Sequence, residues 1–143
     1  MSCPIGNTLM IKSTDEIFSE IASRLLDLES GLTTYEKICS VPEDIDESKV
    51  DEWFDAKYDA PKGVDGFVDA AKGLIDFTTN WRCAQNIIAE LAPQYPQAKI
   101  EFNYTIYADE GVFFCCDTYE NGVLIGRKEI LDDYEDEDDE DEE

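Results

Sequence analysis

Carboxylates are the reactive side chains that stand out in this sequence. The chain of 143 residues carries 35 Asp and Glu against 11 Lys and Arg and has no histidine, so its formal net charge is −24 at pH 7. A small domain needs a net charge of magnitude about 2–8 for solubility. The excess negative charge predicts an encounter with a positively charged partner, or an origin in a highly acidic cell interior. It indicates binding more than it indicates a reaction.

The carboxylates concentrate in two segments, residues 43–55 of the body and the acidic run 132–143 at the end of the chain. If the body segment were helical, Asp44, Glu47 and Asp51 would lie on one face. The alternatives are an ordinary acidic surface loop and a solvated tail that only aids solubility. The candidate partner-binding residues are therefore Glu43, Asp44, Asp46, Glu47, Asp51, Glu52, Asp55 and Trp53 in the body, with Asp132, Asp133, Glu135 and Asp136 in the tail.

The sequence offers little support for catalysis or for a metal site. Histidine, the usual general base near neutral pH, is absent, and there is no glycine-rich phosphate loop. No segment has the spacing of a calcium loop, and no CxxC pair occurs among Cys3, Cys39, Cys83, Cys115 and Cys116. Hydrolase chemistry from an Asp–Glu pair stays open, because such pairs are too abundant here to be informative. We expect a non-enzymatic protein with reduced, structural thiols and without cofactor or metal.

Charge also limits the classes of partner. Nucleic acids and anionic membranes are bound mainly through Lys and Arg, so direct binding to either is disfavoured. The sequence has no apolar run of about 18 residues and no signal-peptide pattern. We therefore expect a soluble, cytoplasmic protein whose partner is a basic protein.

Composition predicts one folded domain over residues 1–131 and a disordered acidic tail over residues 132–143. Hydrophobic residues make up 43% of the chain, which is typical of a folded protein. The body contains 24 acids and 11 bases, a net charge of −13, so it is acidic without the tail.

In the first half, the pattern over residues 5–12 predicts a strand, and Ser13 followed by Glu16 predicts the capped start of a helix. Gly31 is the predicted stop of this helix, whose apolar stripe is Ile17, Ile21, Leu25 and Leu28. A brief strand is predicted over residues 34–38. A short helical face is predicted for Val64, Phe67, Val68 and Ala71.

A strand is also predicted over residues 74–78. Asn80 is the predicted N-cap of a helix that Pro93 ends and that carries Ala84, Ile87, Ile88 and Leu91.

The last third predicts three antiparallel strands. Residues 100–107 alternate between apolar and polar side chains, which indicates a half-buried strand, and residues 109–111 form a turn into the next strand. Asn121-Gly122 is a strong hairpin signal because both turn positions need a positive φ, and residues 123–130 are the third strand. The elements together predict an α+β fold with helices packed on one face of a mainly antiparallel sheet.

Four aromatic residues are candidates for partner contact: Trp53, Phe54 and Tyr58, which lie in the irregular stretch 42–63, and Trp81. One interpretation is an exposed aromatic anchor for a partner, since Trp and Tyr dominate binding hot spots. The other is that these side chains close a small core beneath an irregular loop. Sequence alone leaves both open.

Several strings resemble the YubB ferredoxin-like (Api92-like) domain family of phages, plasmids and other mobile elements. They are Phe77-Thr-Thr-Asn-Trp81, Ala89-Glu-Leu-Ala-Pro-Gln-Tyr-Pro96, Ile100-Glu-Phe-Asn-Tyr104 and Tyr119-Glu-Asn-Gly122, with similar strings at 35–38, 41–44 and 53–58. The resemblance implies a ferredoxin-like sheet and a mobile-element origin. The family has no established catalytic residues, so it implies none here.

The leading hypothesis is an acidic, DNA-mimicking inhibitor that occupies the basic groove of a nucleic-acid-binding host protein with a role in defence. The first alternative is a general protein- or small-molecule-binding module whose charge serves solubility. The second is a protein from an acid-rich halophilic proteome. A homodimer is possible under each of them.

Overall fold

Helices cover one face of the sheet, and side chains along a strand alternate between this face and the opposite one. In β1 (Pro4–Lys12) every second residue from Ile5 to Ile11 is buried, and the residues between them point away from the core. The computed structural model describes residues 3–133. Within this range the apolar stripes of the helices pack on the buried face, as predicted.

The element bounds are as follows. The strands are β1 (Pro4–Lys12), β2 (Leu26–Asp27), β3 (Leu32–Thr33), β4 (Val64–Asp69), β5 (Leu74–Asn80), β6 (Lys99–Ala108), β7 (Gly111–Glu120) and β8 (Val123–Asp133). The α-helices are α1 (Asp15–Leu25), α2 (Val50–Tyr58) and α3 (Gln85–Leu91). Short 3-10 helices cover Tyr35–Lys37, Glu47–Lys49, Ala70–Lys72 and Ala92–Gln94.

Six strands form one antiparallel sheet in the order β4-β5-β1-β6-β7-β8. The path β1-α1-β4-β5-α3-β6, with β1 and β5 in the centre, is the split βαβ arrangement of ferredoxin-like folds. This topology confirms the predicted α+β, ferredoxin-like fold. β7 and β8 extend the sheet beyond β6, while β2 and β3 form a separate two-stranded ribbon.

The predicted hairpins are confirmed. Asn121 and Gly122 adopt φ values of 55° and 77° and join β7 to β8. Asp109 and Glu110 join β6 to β7, where Ala108 pairs with Gly111. β8 extends through Asp133, two residues into the segment that the sequence assigns to the tail. The rest of that predicted tail lies outside the described residues.

The limits predicted for the first helix were wrong at both ends. Thr14, not Ser13, is the N-cap, and its Oγ1 accepts the Ile17 N–H at 3.2 Å. The helix ends at Leu25 because the next two residues pair with β3 as a strand. Gly31, at a φ of 74°, lies in the turn of that ribbon instead of stopping the helix.

Two further elements differ from their predictions. Residues 64–69, whose apolar spacing predicted a helix, form the edge strand β4 because they pair with β5. Residues 35–37 form a 3-10 helix, and the strand predicted over residues 34–38 is replaced by the shorter β3 just before it. At residues 64–69 the pairing with β5 overrides the local helical pattern.

Asn80 does not cap α3. Its Oδ1 accepts the Cys3 N–H at 2.7 Å, so it ties the start of β1 to the end of β5. The N–H of Ala84, at the start of α3, is instead satisfied by the Oδ1 of the fully buried Asn7 at 2.9 Å. The Nδ2 of Asn7 donates to Thr79 Oγ1 at 2.9 Å and to the Ile5 carbonyl at 3.2 Å.

We expect Asn7→Ala to lower the free energy of unfolding by about 2–3 kcal/mol, because it leaves buried polar groups of three elements without partners. Asn80→Ala, which removes one exposed hydrogen bond, should cost about 1 kcal/mol or less. Urea unfolding followed by circular dichroism measures both. Equal losses in the two variants would contradict the role given to Asn7.

No helix among residues 3–133 is long and apolar enough to span a membrane.

Candidate functional site

The acidic segment, residues 43–55, lies on the surface. It begins in a turn, continues through the 3-10 helix Glu47–Lys49 and ends within α2. Its exposed carboxylates are Glu43, Asp44, Asp46, Glu47, Asp51 and Glu52, and Asp55 is partly buried. The seven predicted body carboxylates thus lie on one continuous stretch of chain at the surface, and six of them are exposed.

The helical face predicted for Asp44, Glu47 and Asp51 does not form, because Asp44 precedes the helical part. Asp46 has an extended backbone, and its Oδ1 accepts the Ser48 N–H at 3.2 Å, so the helical part starts after Asp46. Glu47 and Asp51 remain one turn apart.

Two residues of the acidic segment are neutralised by cations. Asp51 lies 3.4 Å from the Lys62 ammonium, and Asp55 forms an ion pair with Arg82. Within residues 3–133 no salt bridge involves the other exposed carboxylates, which are Glu43, Asp44, Asp46, Glu47 and Glu52. Their negative potential therefore faces solvent.

Aromatic side chains beneath the acidic segment fix the position of α2. Phe54 is buried and packs edge-on against Tyr35 and Trp53, with ring centroids 5.7 and 4.9 Å apart. Tyr58 stacks on Phe54 at 5.8 Å. The core interpretation holds for Phe54, while Trp53 and Tyr58 are half-buried against it. A binding role for Trp53 stays a prediction.

Trp81 is the exposed aromatic of the four. Its side chain is 50% exposed, and its φ of 75° lies in the left-handed region that a bulky residue rarely adopts. The N–H of Trp81 donates to the Cys3 carbonyl at 2.8 Å, which helps to hold this conformation. Strained backbone of this kind concentrates at functional sites.

Trp81 borders a cavity of about 260 Å³ that is also lined by Asn86, Thr105 and Tyr107. The neighbouring residue, Arg82, forms ion pairs with Asp55 and Asp59 at the end of α2. The hydrogen bond to Asp55 raises the pKa of Arg82, so this residue stays a cation. The Arg82 contacts place the acidic segment next to the exposed Trp81. Sequence reasoning singled out both but had no signal that joined them.

The thiol nearest this cavity is not an activated nucleophile. Burial raises the pKa of Cys83 to about 11, whereas a reactive cysteine needs a lowered pKa. Burial also raises the pKa of Cys39 and of Cys115. Within residues 3–133 no group of three or more Cys, Asp or Glu side chains is placed to hold a metal ion.

A buried carboxylate behind the cavity was missed by sequence reasoning. Asp117 on β7 is fully buried and accepts hydrogen bonds from Tyr104 Oη at 2.9 Å and from Arg127 Nε at 2.7 Å. Gln85 Nε2 lies 3.4 Å from the same carboxylate. Asp117 itself is sealed from solvent, and the cluster ties β6, β7, β8 and α3 together.

Burial, together with the hydrogen bond to Asp117, raises the pKa of Tyr104. A tyrosine whose pKa is higher in the folded than in the unfolded state stabilises the fold fully below the unfolded pKa of about 10, and the contribution is lost as pH rises through the folded value. We therefore expect urea midpoints to fall as pH rises above about 10. The urea midpoint of Tyr104→Phe should fall less steeply with pH than that of the wild type. Midpoints that fall in parallel in the two proteins would contradict this assignment.

The fold and site define an acidic ferredoxin-like protein with exposed carboxylates beside an exposed tryptophan. A family model described as the ferredoxin-like domain in Api92-like protein matches residues 57–143, more than half of the chain, and the protein belongs to this family. The family's description names no enzymatic activity. Comparison with curated proteins and with solved structures found no match.

The family match starts within α2 and leaves out β1, which lies between β5 and β6 in the sheet. The matched region thus needs the first strand of the chain to complete its sheet. The acidic segment precedes the matched residues, so the family match assigns it no role. Trp81 and its cavity lie within the match.

Proposed function

We propose that this protein is a non-enzymatic acidic binding protein that inhibits a nucleic-acid-handling host protein by occupying its basic groove. The observation that carries the proposal is the exposure of the acidic segment, in which Glu43, Asp44, Glu47 and Glu52 have no cationic partner among the described residues. Unpaired carboxylates on a fixed surface are ready to meet Lys and Arg side chains without first breaking internal ion pairs.

The spacing of the carboxylates supports mimicry of a nucleic-acid strand. Glu47, Asp51, Glu52 and Asp55 lie on one continuous helical stretch, which spans about 13 Å at helical rises of 1.5–2.0 Å per residue. The three intervals between these carboxylates average about 4 Å along the helix axis, which is close to the ~3.4 Å of DNA axis per phosphate of one strand. Two of the four, Asp51 and Asp55, are paired with the partly exposed Lys62 and Arg82, and cations of the partner would have to replace these. A groove that binds phosphates can therefore accept these side chains.

Trp81 can supply an apolar contact with the partner in addition to the contacts of the carboxylates. Charged rims mainly guide encounter, whereas buried aromatic anchors carry much of the binding energy. Arg82 places Trp81 beside the acidic segment, so one partner surface can cover both.

The resemblance of the sequence to a family of mobile elements supports the choice of host and of target class. An Api92-like protein is expected to come from a mobile element, and such an element benefits from blocking host proteins that cut or bind foreign nucleic acid. The target class is therefore a basic defence nuclease or its DNA-binding subunit in the host cytoplasm.

The cavity beside Trp81 favours a second candidate, a protein- or small-molecule-binding module whose charge serves solubility. A volume of about 260 Å³ fits a single side chain or a small planar ligand. This candidate predicts binding that depends on Trp81 and hardly on salt.

A pull-down from host lysate separates the two candidates. The full chain and a 1–133 variant, which retains β8, are compared under washes of rising salt. Retention of a nucleic-acid-binding protein that is released as salt rises supports the mimic. Capture of a partner that is indifferent to salt and lost in Trp81→Ala supports the binding module.

A further inference from the structure

β8 is an edge strand whose outer side pairs with no other strand among residues 3–133. Every residue from Val123 to Asp132 is exposed. The large apolar side chains on this strand are Val123, Leu124, Ile125, Ile130 and Leu131, of which Ile130 is the most exposed at 67%. An exposed apolar edge strand is a template for pairing with another chain.

The second half of β8 has the regular geometry that such pairing needs. The irregularity in the β7–β8 ladder falls between Thr118 and Tyr119, near the hairpin turn. From Gly126 to Asp133 the register with β7 is continuous. Bulges protect edges from pairing, and this one protects only the first part of β8.

We propose that a second copy of this chain pairs antiparallel with β8 across a two-fold axis at Ile130, which joins two sheets into one. In this register Ile130 lies opposite Ile130 of the second copy. Lys128 lies opposite Asp132 of the second copy, and the two-fold axis repeats this pair. Opposite charges directly across an antiparallel pair are stabilising.

Neighbouring registers are less favourable. An axis at Lys128 places two lysines opposite each other, and an axis at Glu129 places two glutamates opposite each other. An axis at Leu131 places Ile130 opposite Asp132 and loses the Lys128–Asp132 pair. Directly opposed like charges are destabilising. If the axis lay between two residues, residues whose side chains point to opposite faces of the sheet would be paired with each other.

The same register extends an apolar stripe across the joint. Ile130 pairs with Phe114 of β7, which is 49% exposed on the same face of the sheet. Phe114 in turn pairs with Thr105 of β6. Joining two copies at Ile130 therefore places two phenylalanines and two isoleucines in a row on the face that the helices leave open.

This dimer is independent of the proposed function, and salt distinguishes the two. Each copy carries a net charge of −24, so self-association should strengthen as salt screens their repulsion. Binding to a basic partner should weaken over the same range.

Sedimentation velocity of the full chain over a concentration series at moderate salt tests the proposal. We expect a reversible dimer in wild type. Ile130→Glu should weaken the dimer by about 100-fold or more, because two carboxylates then oppose each other on the axis. Val123→Glu, which adds the same charge at another exposed position of β8 outside the paired half, should leave it unchanged.

Charge exchange tests the register itself. Lys128→Asp and Asp132→Lys should each weaken the dimer by about tenfold, and the double variant should restore it to within about threefold of wild type. Circular dichroism confirms that each variant is folded. A wild type that stays monomeric through the series, equal effects of Ile130→Glu and Val123→Glu, or a double variant without rescue would overturn the proposal.

Discussion

Neutralising four unpaired carboxylates of the acidic segment lowers the affinity for the basic partner by about 100-fold at low salt. The variant combines Glu43→Gln, Asp44→Asn, Glu47→Gln and Glu52→Gln, which keeps side-chain shape and removes four charges. Each lost contact to Lys or Arg also removes one released counter-ion, so the dependence of affinity on salt becomes shallower. Fluorescence anisotropy with the captured partner at several salt concentrations measures both effects.

A matched variant controls for net charge. Glu16→Gln, Glu29→Gln, Asp109→Asn and Glu110→Gln remove the same number and types of exposed carboxylates elsewhere in the body. We expect this control to lose less than about threefold in affinity, because distant charges are screened at moderate salt. Equal losses in the two variants would mean that overall charge, and not the acidic segment, attracts the partner.

Arg127→Met lowers the free energy of unfolding by about 3 kcal/mol, since it leaves the carboxylate of Asp117 buried without a counter-charge. Methionine retains the apolar stem of arginine and so limits the loss of packing. Because the Arg127 side chain is 40% exposed, the ion pair is only partly buried. We therefore expect a loss of stability at the lower end of the range for broken buried pairs. Urea unfolding followed by tryptophan fluorescence measures it.

Asp117→Asn is the comparison for that variant. The amide oxygen still accepts the Tyr104 hydroxyl, and no buried charge remains, so we expect a smaller loss of about 1–2 kcal/mol. If the free energy of unfolding of Arg127→Met lies within about 0.5 kcal/mol of the wild-type value, burial of Asp117 does not depend on this ion pair. The role given to the buried cluster would then be wrong.

The C-terminal sheet could be predicted because its signals are local. Apolar and polar residues alternate over residues 100–107, and Asn121-Gly122 fixes the hairpin that follows, since both residues adopt the positive φ that the turn needs. Helix α3 was predicted for the same reason, from apolar residues at helical spacing. In these elements the local sequence pattern and the tertiary structure agree.

The first half was predicted less well because sheet pairing and one long-range hydrogen bond decide it. Val64, Phe67 and Val68 have helical spacing, yet they form an edge strand that pairs with β5. The N-cap role expected of Asn80 is taken by Asn7, which lies 77 residues from Ala84, whose N–H it accepts. No short window of sequence contains both Asn7 and Ala84.

The candidate site was predicted in part. Exposure of the acidic carboxylates follows from their charge, but the start of the helix at Asp46 separates Asp44 from the others. The Asp117–Arg127 pair could not be predicted because the register of β7 and β8 shifts by one residue. Counting from the Asn121-Gly122 turn places Asp117 opposite Gly126, whereas the irregularity after Thr118 places it opposite Arg127. The contact that joins Trp81 to the acidic segment depends on Arg82 reaching α2, which only the fold reveals.

Competition for a nucleic-acid groove is measured most directly with the captured partner, a fluorescent DNA duplex and this protein as competitor. If the proposed mimicry is right, the protein displaces the duplex in proportion to its own binding, and the variant with four neutralised carboxylates displaces it about 100-fold less effectively. A duplex that stays bound when the partner is saturated with this protein would contradict occupation of the groove, and binding would then be assigned to the Trp81 cavity.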